Sequence, residues 1–173
     1  MTGTGWQRRW MRILTTLLTA ALMVMIFCFS MENAEQSDER SGFIADAVAR
    51  IIRPDYSRMD AGSRQAFFDR LQLIIRKCAH FTEYTLLGFM FRLCLESWFG
   101  ESVQKRRILT FAGFGGGTLY ACSDEIHQLA IDGRYGTWTD VLVDAGGVLT
   151  GTLLARLLIA MLERKKKTVN SGR

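Results

Sequence analysis

Between Ile13 and Phe29 the chain carries no charged residue, and so long a run of that purity has few places to go. Roughly 20 apolar residues cross the hydrocarbon core of a bilayer as a helix. Inside that core only helices and closed barrels satisfy their own backbone hydrogen bonds. Three further apolar blocks follow, at residues 78–99, 108–123 and 141–162, with most of the charge gathered between them. Although 49% of the 173 residues are hydrophobic, the mean hydropathy is barely positive. Apolar content is therefore concentrated in blocks, as in a small polytopic membrane protein rather than a soluble globule. The expected fold is all-α, a single membrane domain over 1–173. It has four transmembrane helices, at 13–29, 78–99, 108–123 and 141–162, and an amphipathic helical extracytoplasmic loop at 31–77 between the first and second. A basic start before an apolar core also describes a secretory signal peptide. The length of the core and the lack of a small-x-small pattern in the following SMENAEQ favour an uncleaved first helix.

Basic residues set the orientation. Arg8, Arg9 and Arg12 before the first block, Lys105–Arg107 between the second and third, and Arg164–Lys167 after the fourth fall on one side of a four-helix layout. By the positive-inside rule that side is cytoplasmic, which puts both termini in the cytoplasm and the stretch Asp124–Asp140 outside. Within the outer loop Phe43, Ile44, Ala47, Val48, Ile51 and Ile52 recur at helical spacing opposite Asp46, Arg50 and Arg53. That spacing predicts an amphipathic helix over Ser41–Arg53, ending before Pro54. Phe67, Phe68, Leu71, Ile74 and Ile75 form a second such pattern that leads directly into the block at 78. Two readings fit both patterns: helices lying along the membrane surface, or helices covering the bundle.

Arg92, near the inner end of 78–99, is expected to snorkel toward headgroups. Gly113, Gly115, Gly116 and Gly117 in the third block, and Gly147 and Gly151 in the fourth, place small residues where helices approach closely. The net charge of +5 does not point to nucleic acid, because the bases cluster at block ends instead of interleaving with stacking aromatics. Cys28, Cys78, Cys94 and Cys122 form no CxxC pair and read as small buried hydrophobes. A Cys78–Cys122 disulfide is an open option, since both fall near one membrane face.

The polar residues that remain are grouped. On a helix Lys77, His80, Glu83 and Tyr84 lie within one or two turns of each other. Asp140 and Asp144 share a face that continues into Gly147 and Gly151, and Asp124 stacks on Gln128. With Glu125 and Arg134 these residues, Lys77, His80, Glu83, Tyr84, Asp124, Glu125, Gln128, Arg134, Asp140 and Asp144, form the candidate ligand-binding set. An ionised group in hydrocarbon costs roughly 2.5–3.5 kcal/mol, so Glu83 and Asp144 should face partners or a wet cleft. The spacing leaves several roles open. The group can be a salt-bridge network that fixes helix register, or a cleft for a polar headgroup with Lys77 and Arg134 engaging an anion. It can also be an acid–base pair made of His80 and Glu83. No cofactor is expected. His80, Glu83, Asp124 and His127 are weak metal candidates through two His/carboxylate pairs at i, i+3 spacing.

Three blocks, RKCAHFTEYTLLGF (76–89), SDEIHQLAIDGRYGTWTD (123–140) and DVLVDAGGVLTG (140–151), resemble in this order the VanZ-like family of bacterial membrane proteins, whose namesake is linked to resistance to the glycopeptide teicoplanin. The likeness covers about 16–162. One position departs from the family pattern: Asp144 stands where an asparagine is expected, adding a titratable carboxylate. The resemblance implies a multi-pass protein of the bacterial cytoplasmic (inner) membrane. Its partners would be membrane lipids and an envelope lipid headgroup or glycopeptide-like ligand, and its role glycopeptide resistance or envelope homeostasis. The alternative is a membrane-embedded hydrolase or transferase acting on a lipid-linked phosphate through His80 and Glu83.

Overall fold

The charge-free block lies inside the first of five helices in a computed structural model that describes residues 5–100, 102–131 and 137–171. The helices are α1 (Gly5–Ser30), α2 (Ala34–Ile52), α3 (Ala61–Phe99), α4 (Val103–Gln128) and α5 (Trp138–Ser171), with one 3-10 turn at Tyr56–Arg58. All regular structure among the described residues is helical. Two helices are long and apolar enough to cross a membrane, α1 over Gly5–Ser30 and α5 over Trp138–Lys165. The expected second and third crossings fall in α3 and α4, whose composition is more polar. They carry Glu83, Arg92 and Glu96 in the one, and a glycine run with Asp124 and Glu125 in the other.

Helix ends account for most differences from the expected boundaries. α2 starts well before Ser41 because Asn33 caps it: Gln36 N–H donates to Asn33 Oδ1 (2.9 Å), and Asn33 N–H donates back to Gln36 Oε1 (3.2 Å). This reciprocal box satisfies two otherwise orphaned amides. α2 ends at Ile52, ahead of Pro54 as its missing N–H and steric demands require. The amphipathic pattern at 67–75 and the block at 78–99 are one continuous helix, since no proline follows the Asp60 cap, which accepts from Ser63 N–H at 3.0 Å, and no glycine lies between the two patterns.

The helices α1, α3, α4 and α5 run alternately up and down, and glycine sets their spacing. A Cβ on Gly147 would stand 2.5 Å from the carbonyl oxygen of Phe81, one on Gly151 would collide with that of Thr85, and one on Gly88 with the Val148 backbone. α3 and α5 therefore pack backbone to backbone, the use expected of small-xxx-small spacing. In α4, Gly116 faces Phe91 and Gly117 faces Val148, whereas Gly115 faces open space. Ile26, Tyr84, Leu87, Ala121 and Val148, from all four helices, close the central core. α1 belongs to this bundle: Tyr120 Oη donates to Met23 O (2.6 Å) and Trp98 Nε1 to Thr16 Oγ1 (3.1 Å). Outside it, α2, the 3-10 turn and the start of α3 build a second core from Ala45, Ala49, Tyr56 and Leu71.

Two expectations are corrected here. Arg92 does not snorkel; it is completely buried, and both its terminal nitrogens donate to Glu96 Oε2 at 3.0 Å. Glu96 Oε1 accepts from Arg106 Nε (2.7 Å), and Arg106 also pairs with Glu163. The turn between α3 and α4 brings Arg106 back against Glu96, so an inward carboxylate outcompetes the interface for Arg92. The four cysteines are all free, Cys28 and Cys78 exposed and Cys94 and Cys122 half-buried. They lie on outward helix faces, so no Cys78–Cys122 disulfide forms.

Candidate functional site

The alternating helices bring the C-terminal end of α1, the middle of α3, the end of α4 and the start of α5 to one end of the bundle. The sequence-derived residues gather there in pairs that cross between helices. Lys77 Nζ donates to Asp140 Oδ1 at 2.5 Å, tying α3 to α5. One turn deeper, His80 Nδ1 lies 3.5 Å from Asp144 Oδ1, close enough for charge attraction but not aligned as a hydrogen bond. Gln128 Nε2 donates to Asp124 Oδ2 (3.2 Å) and to Ser30 Oγ on α1 (3.3 Å). Thr137 N–H donates to Glu125 Oε2 (3.0 Å), and Thr137 Oγ1 to Asp140 Oδ2 (2.7 Å), closing the approach to α5.

This end carries more acid than base. Glu83, Asp124, Glu125, Asp140 and Asp144 are met among the described residues by Lys77 and His80, and Asp144, Asp124, Glu125 and Gln128 are buried. Burial first, and the charge of Asp140 second, push Glu125 up to about 7 against the opposing pull of the Thr137 N–H. Hydrogen-bonding capacity is left over. Both oxygens of Asp144, Asp124 Oδ1, Tyr84 Oη and His80 Nδ1 are buried without a partner. Buried polar atoms in folded proteins nearly always have one, and His80 offers Asp144 only charge attraction at 3.5 Å. Tyr84 is buried beside Tyr120, ring centroids 6.4 Å apart.

Next to this cluster a cavity of about 250 Å³ lies between the end of α1, α2 and α3, its lining including Ser30, Arg40, Ser41, Arg76, His80 and Glu83. Arg40 pairs with Glu32 (2.8 Å) and lies over the Phe29 ring, and Arg76 pairs with Asp38 (3.0 Å). Each guanidinium has five N–H donors, so both keep donors for a ligand. The cavity thus has a cationic rim and a floor of His80 and Glu83, with Asp144 directly behind His80.

Lys77, expected with Arg134 to engage an anion, pairs with Asp140 and is not among the residues lining the cavity. Arg76 and Arg40 line the cavity instead. Arg76 was legible, since it stands four residues before His80; Arg40 was not, because its place depends on α2 folding back along α3, held by Gln72 Nε2 to Asp38 O (2.8 Å). Arg134 lies outside the described residues. His127 turns away from His80 and stacks on Phe27, centroids 4.8 Å apart. Among the described residues no three His, Cys, Asp or Glu side chains are grouped to hold a metal ion, so His80, Glu83, Asp124 and His127 do not converge as ligands.

The sequence model of the VanZ/LLP1 family matches residues 15–159. No curated protein and no solved structure matches the chain.

Proposed function

This chain belongs to the VanZ/LLP1 family, and on that footing we propose that it is a four-crossing protein of the bacterial cytoplasmic membrane. Its extracytoplasmic cleft takes the anionic headgroup of an envelope lipid or a glycopeptide-like ligand, serving glycopeptide resistance of the teicoplanin type or envelope homeostasis. The crossings beyond α1 and α5 are the apolar half of α3 and α4. The charges of Arg92, Glu96 and Arg106 are no obstacle, because Glu96 and Glu163 together balance Arg92 and Arg106. The faces turned outward carry Ile108, Phe111, Leu119 and Leu86, an apolar surface suited to lipid and costly in water. The basic ends described above then lie in the cytoplasm, and α2 with the cavity lies outside.

The observation that carries this reading is the cavity whose lining brings Arg40 and Arg76 together with Ser30, His80 and Glu83. Guanidinium groups match the planar geometry of phosphate and carboxylate oxygens. The acid excess deeper in keeps an anionic group at the rim and leaves the floor to hydroxyl or amine donors of the same ligand. Binding of a polyprenyl phosphate to the full chain in nanodiscs tests the cleft, alongside teicoplanin susceptibility of cells carrying each variant. Arg40→Gln with Arg76→Gln should weaken binding at least about tenfold, since a charge-assisted hydrogen bond contributes about 1.5–3 kcal/mol. Wild-type binding by that variant refutes the cleft.

One observation favours a second reading. A buried carboxylate behind His80, 3.5 Å away, is how proteins orient an imidazole for proton transfer, and Glu83 lines the same cavity. On this reading the protein is a hydrolase or transferase acting on a lipid-linked phosphate. Phosphate release that survives intact in His80→Ala removes it.

A further inference from the structure

At the opposite end of the bundle a second cavity, of about 510 Å³, lies between the start of α1 and the end of α3. It is lined by Gly5, Arg8, Arg9, Arg12, Ile13 and Trp98. We propose that this groove is a binding site for the phosphate headgroup of an anionic phospholipid. The inference rests on α1 crossing the membrane, and it is independent of the headgroup cleft at the other end.

The groove has a fixed wall and a free one. Arg12 Nε donates to Ser97 O (3.0 Å) and its guanidinium sits 5.1 Å above the Trp98 ring, while Trp98 Nε1 is held by Thr16 Oγ1. Thr15 and Ser97 hydroxyls join the same two helices at 3.1 Å. Arg8 and Arg9 complete the lining, and neither has an ion-pair partner among the described residues. The lining contains three guanidinium groups and no carboxylate, so the complementary charge must come from a ligand. Its size falls within the range of small-molecule sites.

Depth identifies the ligand as an amphiphile. Trp6, Trp10 and Trp98 are all exposed, Trp6 and Trp10 packed edge to face at 5.5 Å, and such indoles mark the boundary between headgroups and hydrocarbon. The charge-free stretch of α1 begins at Ile13, on the groove's own edge. A molecule at this level that presents phosphate to arginine and acyl chains to Ile13 and Leu17 is a phospholipid. By the positive-inside orientation it belongs to the cytoplasmic leaflet, which carries anionic lipid.

The test uses the full chain extracted from vesicles of phosphatidylglycerol and phosphatidylcholine, with retained lipid counted by native mass spectrometry. Arg8→Gln with Arg9→Gln should retain about thirtyfold less phosphatidylglycerol than wild type, on the scale of two interfacial basic residues, with phosphatidylcholine unchanged. Arg164→Gln with Lys165→Gln removes the same charge from the same end outside the groove, and should leave retention as it was. Full retention in the first variant, or an equal loss in the second, overturns the site; the latter would mean that surface charge alone attracts the lipid. The cleft variant Arg40→Gln with Arg76→Gln should retain phosphatidylglycerol normally, so failure of the cleft and failure of this groove read out separately.

Discussion

Glu96→Gln should be among the most damaging single changes available to this bundle. Glu96 is buried and accepts from both terminal nitrogens of Arg92 and from Arg106 Nε at 2.7 Å. Neutralising it leaves the buried Arg92 guanidinium with no carboxylate and Arg106 with only Glu163, which is itself 38% exposed. Breaking a buried pair by removing one partner costs about 3–5 kcal/mol, because the other charge stays buried and uncompensated. Arg92→Met is milder, at about 1–3 kcal/mol, since Glu96 keeps Arg106. In the double variant Arg92→Met with Glu96→Gln, Arg106 retains Glu163 and no lone charge remains, so the double should be less damaged than Glu96→Gln alone. The coupling between the two sites is then about 2 kcal/mol or more. Thermal unfolding in detergent should show Glu96→Gln lowered by about 6–20 °C, at roughly 2–4 °C per kcal/mol for a chain of this size. A midpoint for Glu96→Gln within about 3 °C of wild type, or losses that simply add, would mean that Arg92 reaches the interface after all.

Two further outcomes are expected. Gly147→Ala should cost about 1–3 kcal/mol, because its Cβ would meet Phe81 O at 2.5 Å and Thr85 N at 3.1 Å and force α3 from α5; Gly115→Ala, with open space around it, should be neutral or slightly stabilising. Equal effects at the two positions in a thermal-unfolding comparison would refute the packing account. Glu125→Gln should reveal the raised Glu125 carboxyl through its pH dependence. A carboxyl held at about 7 when folded, against an ordinary 4.5, supplies its stability at low pH and loses it as pH rises through 7. Wild type should therefore lose up to about 3 kcal/mol relative to Glu125→Gln between pH 4 and pH 8, and parallel pH profiles for the two proteins would contradict this.

What the sequence made legible follows from periodicity. The i, i+4 rule and an alternating helix order suffice to bring Lys77 to Asp140 and His80 to Asp144, because each pair lies at matching depth in two helices that the alternation makes parallel. The same rule links Arg92 to Glu96, but proximity to the block's end favoured an interfacial reading, and Arg106 joins them only through the tight turn before α4. The Asn33 box was present in the letters, although asparagine and glutamine are a less familiar version of the motif than serine and glutamate. Rotation about a helix axis was not legible. It decides that Gly116 and Gly117 meet Phe91 and Val148 while Gly115 meets nothing, that His127 stacks on Phe27, and that the cysteines face outward.

The two polar ends of the bundle also separate architecture from function. At the basic end Arg92 and Arg106 balance Glu96 and Glu163, and Arg92 Nε is the one atom of that group buried without a partner. This is the closed network expected when charges only fix register. At the other end, among the described residues, Glu83, Asp124, Glu125, Asp140 and Asp144 outnumber Lys77 and His80, and both Asp144 oxygens lack a hydrogen-bond partner although the residue is completely buried. Leaving such groups unmet costs about 1–3 kcal/mol each, more when charged, in a helix pair whose packing is otherwise tight enough to exclude a methyl group at Gly147. A register pin has no need to carry that cost. The tolerance for it beside Arg40, Arg76, His80 and Glu83 is the physical reason for proposing the headgroup cleft at that end, while the Arg92–Glu96–Arg106 network serves as scaffolding.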